Sequence, residues 1–185
     1  MSNKIDITVA VTGLNNIDSP GPGIPVIRAL KESERYNVRI IGLSYETLEP
    51  GIYMRDLVDK TYQIPMPTAG THVLLERLKY INDIENIAVI IPNFDAELHN
   101  FIKIKSVLKS ILNIDTFLPT AEQFESRHKS VLYEFGKKNE VNVPFAKMIF
   151  NANEIQQLKS EFSYPLVVKG KYYDASIAAT PEQAI

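Results

Sequence analysis

Apolar residues along the chain follow two alternating patterns, which predict strands and helices in turn. Short runs that are nearly all apolar are typical of strands buried on both faces of a sheet, and apolar residues spaced three or four apart are typical of amphipathic helices. The predicted strands are 6–13, 37–44, 59–65 and 86–93. The predicted helices between them are 23–34, 71–83 and 94–111. This alternation predicts an α/β fold with a Rossmann-like parallel sheet.

The pattern changes after Pro119, and we place a domain boundary near 118–120, which gives predicted domains 1–118 and 119–185. A short strand-like segment, 115–119, precedes the boundary. Beyond it the pattern predicts two helical turns and then a full helix, a strand, a helix, two short strands and the start of another helix. These segments are 120–140, 144–150, 151–162, 165–171, 175–180 and 181–185.

Composition narrows the function classes. Hydrophobic residues make up 45% of the 185 residues and charged residues 23%, which is ordinary for a globular protein. A net charge of -2 gives no general attraction for nucleic acid or an anionic membrane. The chain has no cysteine, so disulfides and thiolate chemistry are excluded. No apolar run reaches the length of a membrane helix or a signal peptide, which indicates a cytoplasmic protein.

The loop after the first predicted strand is the first candidate site. Ligands of open α/β sheets lie at the carboxyl ends of the strands, so we expect its polar residues to bind substrate. These residues are Asn15, Asn16, Asp18 and Ser19. The spacing of glycines in this loop does not match the dinucleotide-binding fingerprint. The alternative is a rigid turn in which Ser19 caps a helix that has Pro25 in its first turn.

A second polar turn follows the most apolar strand. Asn93, Asp95 and Glu97 lie at the start of the next predicted helix, and all three are candidates for substrate binding. The alternative is that Asn93 or Asp95 caps this helix. Because both turns follow parallel strands, we predict that an acceptor-substrate site lies between 14–23 and 92–97.

Basic residues in the second predicted domain, 119–185, suggest that it binds an anion. Arg127, His128 and Lys129 cluster at a predicted helix start, where they indicate either a solvated charged face or a bound anion. Lys169 ends an apolar strand, where an ammonium group needs a phosphate or a carboxylate as partner. A salt bridge from Lys169 to Glu161 or Asp174 is the alternative. The three histidines lie in separate elements, which argues against a histidine-based metal site.

The order of these motifs resembles the ATP-grasp superfamily, which includes carbamoyl phosphate synthase large chain and biotin carboxylase. The segment 125–170, "ESRHKSVLYEFGKKNEVNVPFAKMIFNANEIQQLKSEFSYPLVVKG", is similar to the start of an ATP-grasp domain, with Lys129 and Lys169 at its two basic positions. Upstream, Pro92, Asp95 and Glu97 after a strand are similar to the Rossmann-like pre-ATP-grasp domain. The chain thus resembles such a domain followed by the first, incomplete part of an ATP-grasp domain.

The resemblance implies an ATP-dependent ligase or carboxylase that uses MgATP to activate a small-molecule carboxylate as an acyl phosphate. It implies that Lys129 and Lys169 bind the ATP phosphates. The family's glycine-rich loop is shorter here, so its phosphate contact would fall to Lys171, to the backbone of Gly170–Tyr173, or to the side chains of Tyr172 and Tyr173. The residues that bind Mg²⁺ and catalyse are expected downstream of Ile185, so we expect this portion to be inactive alone and place no metal ligand in it. The alternative is a non-enzymatic Rossmann-like module that binds a nucleotide or small ligand.

Two further expectations come from the resemblance. The Tyr164–Pro165 bond is predicted to be cis, because the proline opens a strand at a position where the family often has a cis bond. The expected partner is a small molecule and not nucleic acid or a membrane, and a homodimer is compatible with this reading.

Overall fold

The computed structural model describes residues 4–16, 21–158, 161–170 and 175–184. The chain divides into two compact units, Met1–Ala121 and Glu122–Ile185. We call these the first and second units. Whether they correspond to the two domain types expected from the sequence stays a prediction.

The first unit is built on a parallel sheet with helices on both faces. Its strands are β1 (Ile5–Val11), β2 (Tyr36–Ser44), β3 (Lys60–Gln63) and β4 (Val89–Ile91). Its helices are α1 (Gly23–Lys31), α2 (Thr71–Glu85) and α3 (Asp95–Leu112), with 3₁₀ turns at Pro50–Tyr53 and Pro67–Ala69. The strands lie in the order β3-β2-β1-β4, and every neighbouring pair is parallel. The predicted α/β class with a parallel sheet is confirmed.

Side chains alternate between two apolar layers on the faces of this sheet. Val9 and Val11 of β1 pack with Ile24 and Ile27 of α1. On the other face, sheet residues pack against α2 and α3, and the fully buried members of this layer include Ala10, Ile41, Leu43, Leu78, Ile81, Ile90, Phe101, Leu108 and Ile114. Each leucine, isoleucine or phenylalanine side chain among them contributes about 1.5–3 kcal/mol by leaving water. These layers fix the strand ends on which the candidate site is built.

Asparagines end the two long helices at defined positions. Asn86 after α2 and Asn113 after α3 have φ values of 52° and 54°, in the left-handed region that asparagine tolerates. The side chain of Asn82 also accepts a hydrogen bond from the Ile87 N–H at 2.8 Å. Because of this turn, β4 begins only at Val89 and covers Val89–Ile91 of the predicted 86–93. The strand ends before Pro92, which has no N–H for a further ladder hydrogen bond.

The second unit has short helices and one antiparallel hairpin. Its elements are α4 (Ala121–Ser126), which begins at the division, α5 (Leu132–Lys138), α6 (Asn153–Gln157), β5 (Leu166–Lys169), β6 (Ala175–Ala178) and a 3₁₀ turn at Pro181–Ala184. Ile155, Ala178 and Ala184 form its small buried core, against which Val168 packs. The Tyr164–Pro165 bond is cis, as predicted.

Two predicted strands are wrong. At 115–119 only Asp115 pairs with the sheet, accepting from the Ile90 N–H and donating to the Ala88 carbonyl, both at 2.9 Å. Phe117 is 102% exposed, so the segment leaves the sheet at once. At 144–150 no strand forms in the described chain; Phe145 packs on Tyr133 and Phe162 as an aromatic cluster instead. An apolar run without a neighbouring strand has no partner for its backbone.

None of the helices in the described part of the chain is both long enough and apolar enough to cross a membrane.

Candidate functional site

The loops after β1 and β4 meet at the carboxyl edge of the sheet. Because these strands are parallel neighbours, their ends point the same way. The backbone N–H of Asn93 donates to Thr12 Oγ1 at 2.8 Å, and Asn93 Nδ2 donates to the Thr12 carbonyl at 3.0 Å. Gly13 allows this approach, since a Cβ there would lie 2.9 Å from Asn93 Cβ and its φ is +79°. The two predicted turns therefore lie together.

Glu97 is the centre of this edge. Its carboxylate accepts hydrogen bonds from the hydroxyls of Thr12 and Tyr45, and from the backbone N–H groups of Asn93 at 2.7 Å and Phe94 at 3.0 Å. The residue is 1% exposed. Burial raises the pKa of Glu97, against the hydrogen bonds from Thr12 and Tyr45. Glu97 joins the ends of three strands.

The prediction that Asn93 or Asp95 caps α3 is wrong. The residue preceding the helix is Phe94, and the Glu97 side chain reaches back to its N–H. The side-chain amide of Asn93 donates to the Thr12 and Ile91 carbonyls, so it is directed to the strand ends. Asp95 is exposed in the first helical turn, where its charge suits the helix dipole.

The described parts of the β1–α1 loop, 12–16 and 21–22, pack against each other. The Gly23 N–H donates to the Gly13 carbonyl at 2.9 Å and the Ile24 N–H to the Gly21 carbonyl at 3.2 Å, while Pro25 has no N–H. The first three residues of α1 thus offer no backbone donor to a phosphate, in agreement with the absence of the dinucleotide fingerprint. Asp18 and Ser19 lie outside the described residues.

An open groove of about 430 Å³ lies beside α1 at the same edge. Asn15 and Asn16 line it, so two predicted substrate residues border a cavity. Its other lining residues are Leu14, Gly21, Ile24, Pro25, Arg28, Ala29, Glu32, Pro50, Gly51 and Met54. Most of this wall is apolar. Asn93, Asp95 and Glu97 are not among the lining residues, so the predicted residues do not all share one cavity.

Glu49 is a residue that sequence reasoning missed. It is 3% exposed, and its Oε1 accepts from the Tyr45 N–H at 2.7 Å. Burial raises the pKa of Glu49, and hydrogen bonds from the backbone of Tyr45, Glu46 and Leu14 oppose this effect. Its Oε2 and the Oδ1 of Asn15 are buried and have no hydrogen-bond partner among the described residues. The only available signal was position, because Glu49 follows the end of the strand next to β1.

The predicted phosphate-binding residues Lys129 and Lys169 lie in the second unit and are exposed. Lys129 lies in the turn after α4, and Lys169 is the last residue of β5. The cluster of Arg127, His128 and Lys129 therefore follows the C-terminal end of a helix, where positive charge is favourable, and does not begin one as predicted. Lys171 lies outside the described residues.

The alternative prediction for Lys169 is a salt bridge to Glu161 or Asp174. Glu161 pairs with Lys147 at 2.6 Å, and Asp174 lies outside the described residues. Val167 and Ile177, opposite each other in the hairpin, are 61% and 75% exposed and lie on the same face as Lys169. This face combines an apolar surface with an ammonium group.

Within residues 4–16, 21–158, 161–170 and 175–184, no three histidine, aspartate or glutamate side chains come together as a metal site.

Comparisons with known proteins give a structural match. No protein-family model matches the chain, and no curated protein sequence matches it. Among solved structures, N5-carboxyaminoimidazole synthetase from Staphylococcus aureus matches with a TM-score of 0.61 and 13% sequence identity. The match covers 98% of this chain and 44% of that protein. The chain therefore shares the fold of just under half of a synthetase, which confirms the predicted fold class.

Proposed function

We propose that this chain is the N-terminal portion of an ATP-dependent ligase or carboxylase of the ATP-grasp class. The observation that carries the proposal is the fold shared with a synthetase over 98% of the chain. The resemblance of 125–170 to the start of an ATP-grasp domain supports the same class. In such a reaction the γ-phosphoryl group of ATP passes to a carboxylate oxygen, ADP leaves, and a nucleophile then displaces phosphate from the acyl phosphate.

The first unit is proposed to contribute to the acceptor-substrate pocket. Support comes from Asn15 and Asn16, which line a groove at the carboxyl edge of the sheet, where open α/β sheets bind ligands. The turn with Asn93, Asp95 and Glu97 lies at the same edge of the sheet. Hydrogen bonds of Glu97 and Asn93 to Thr12 hold the β1 and β4 loops together there.

The second unit is proposed to contribute Lys129, Lys169 and Lys171 to the ATP phosphate site. Lys169 is exposed at the end of a hairpin face that also presents Val167 and Ile177. An apolar surface beside an ammonium group suits a nucleotide, whose base is apolar on its faces and whose phosphates are anionic. Charge-assisted hydrogen bonds of this kind contribute about 1.5–3 kcal/mol each.

Mg²⁺ is proposed as a cofactor of the complete enzyme, where it would neutralise charge on the transferred phosphoryl group. Since the described residues hold no metal cluster, we assign no metal ligand to this chain. We also propose that residues 1–185 do not catalyse alone, because they correspond to 44% of the synthetase with the same fold.

The decisive experiment compares this chain with the natural polypeptide that its reading frame encodes. We expect the frame to continue past Ile185 with acidic residues at strand ends. Calorimetry should then show MgATP binding by the longer polypeptide and little or no heat with 1–185. A stop codon at this point, or MgATP turnover by 1–185 itself, would contradict the proposal. Ligand binding without turnover by a naturally short protein would favour the non-enzymatic module.

A further inference from the structure

The groove beside α1 carries two opposite charges that do not pair with each other. Arg28 and Glu32 both line it, one helical turn apart, and both side chains are exposed. Within the described part of the chain, neither side chain takes part in a hydrogen bond or an ion pair. The order of the residues agrees with this, because an arginine four positions before a glutamate pairs less well than the reverse order. Both charges are therefore available to a ligand.

The dimensions of the groove fit a small molecule. One wall is a continuous face of α1 that runs from Ile24 to Glu32, and at 1.5 Å per residue it is about 12 Å long. The opposite wall comes from the 3₁₀ turn Pro50–Tyr53 and from Met54. The volume of about 430 Å³ lies within the range of small-molecule sites, which is about 300–1,000 Å³.

The lining selects the class of small molecule. Ile24, Pro25 and Met54 form an apolar part of the wall and favour an apolar body. The Arg28 guanidinium has only donors and suits a carboxylate, whereas the Glu32 carboxylate has only acceptors and suits an ammonium group. A ligand with a single charge meets a like charge one helical turn from its partner, whereas a ligand with both charges is attracted by both residues.

We propose that the groove beside α1 binds a small zwitterion with an apolar side chain, of the α-amino acid class, with its carboxylate on Arg28 and its ammonium group on Glu32. The inference deepens the proposed function, on which it rests, because it gives the acceptor-substrate pocket a chemical class. Arg28 and Glu32 are accordingly the residues that determine the charge preference of this pocket.

The test compares phenylalanine with 3-phenylpropanoate, which lacks the ammonium group, and 2-phenylethylamine, which lacks the carboxylate. Each is titrated at neutral pH into the ¹⁵N-labelled 1–185 chain without ATP, and the N–H signals of Ala29 and Gly51, one from each wall of the groove, are followed. Phenylalanine should shift both signals saturably. Each singly charged ligand should bind about threefold more weakly or worse, since an exposed ion pair contributes an effect of this size.

Variants assign each charge of the ligand to one residue. In Arg28→Gln, phenylalanine should bind no more tightly than 2-phenylethylamine, because its carboxylate has lost its partner. In Glu32→Gln, phenylalanine should bind no more tightly than 3-phenylpropanoate. Arg55→Gln and Glu34→Gln, which remove exposed charges outside the groove lining, are the matched controls and should retain the preference for phenylalanine. Equal affinity of the three ligands, loss of the preference in a control variant, or no saturable shift would each overturn the proposal.

Failure here and failure of the proposed function are distinguishable. The titration contains no nucleotide, and the calorimetry of the longer polypeptide with MgATP contains no amino acid. Loss of the preference for phenylalanine alone would overturn the inference and leave an ATP-dependent enzyme with a different acceptor class. Phenylalanine binding without MgATP binding by the longer polypeptide would support the inference about the groove and favour the non-enzymatic module.

Discussion

At the scale of single residues, Glu97 determines the shape of the candidate edge. One buried carboxylate serves the Thr12 and Tyr45 hydroxyls and two backbone N–H groups, so it connects β1, β2 and β4 at their ends. Burial raises the pKa of Glu97, and removal of its side chain would leave several donors unsatisfied at once.

Replacement of Glu97 by alanine is therefore expected to destabilise the first unit by about 3 kcal/mol, through unsatisfied buried donors and a cavity. Urea unfolding followed by circular dichroism measures the loss. Glu76→Ala, which removes an exposed glutamate from the middle of α2, is the matched control and should change stability by less than about 0.5 kcal/mol. Equal losses in the two variants would show that Glu97 does not hold the strand ends.

The sequence predicted Glu97 and Asn15 as site residues but could not predict Glu49. Carboxylates that follow a strand end are usually solvated, and nothing local distinguishes Glu49 from the exposed Glu46. Burial of Glu49 arises because the 3₁₀ turn Pro50–Tyr53 packs on Leu14, a contact between distant parts of the chain. Contacts of this kind are set by tertiary packing and leave no periodic pattern.

At the scale of elements, the end of α2 is fastened to the sheet by one acidic side chain. Glu85, whose side chain is 6% exposed, accepts from the Tyr62 hydroxyl of β3 at 2.6 Å and pairs with Arg39 of β2. Burial pushes the pKa of Glu85 upward, but the hydrogen bonds from Tyr62 and Arg39 outweigh it and hold the pKa below the ordinary 4.5. The hydrogen bond between Tyr62 and Glu85 raises the pKa of Tyr62 to about 12.

A pH-dependent loss follows for Glu85→Gln. Because the folded pKa of Glu85 is depressed, its stabilisation is complete above the ordinary value and is lost as the pH falls through the lowered pKa. We expect the variant to be less stable by about 1 kcal/mol at pH 7 and nearly equal to the parent well below pH 4. Urea unfolding at both pH values measures this. Asp83→Asn, an exposed carboxylate of the same helix, should show no such difference, and a loss independent of pH would contradict the assignment.

The hairpin of the second unit separates into a packed face and an open face. Ile155 is 4% exposed in the small core, whereas Ile177 of β6 is 75% exposed. Ile155→Ala should cost about 2–4 kcal/mol and speed amide hydrogen exchange throughout β5 and β6. Ile177→Ala should change the same exchange by less than about 1 kcal/mol. Equal acceleration in both variants would mean that the exposed face is packed.

The type of an element is predictable from apolar periodicity where its apolar side packs against a neighbouring element. All four strands of the sheet and all three of its helices form near their predicted positions, because each buries its apolar side against another element. The segments 115–119 and 144–150 have strand-like composition without the adjacent strand that a ladder needs. The composition of one segment therefore does not predict a strand by itself, because a strand also needs a neighbouring strand to pair with.

At the scale of the whole molecule, the two units carry different parts of the proposed activity. The first unit contains the groove beside α1, and the second contains the exposed Lys129 and Lys169, which we propose to bind phosphate. This division of roles stays a prediction, because the match to the synthetase shows the fold and covers 44% of that protein.

The nucleotide role of the second unit predicts a specific pattern of lysine effects in the longer natural polypeptide. Lys169→Ala and Lys129→Ala should each weaken binding of a non-hydrolysable MgATP analogue about tenfold or more, since a charge-assisted contact contributes about 1.5–3 kcal/mol. Lys147→Ala removes a lysine of the same unit that pairs with Glu161 at 2.6 Å, and it should change the affinity less than about twofold. Isothermal titration calorimetry measures the affinity of all three variants.

Micromolar affinity requires about 8 kcal/mol, which is more than two lysines supply. We therefore expect residues 1–185 to bind the analogue weakly, so that the same substitutions in 1–185 have little effect. Equal effects of all three lysines would indicate general electrostatic attraction, and unchanged affinity in both phosphate-site variants would remove the second unit from the nucleotide site.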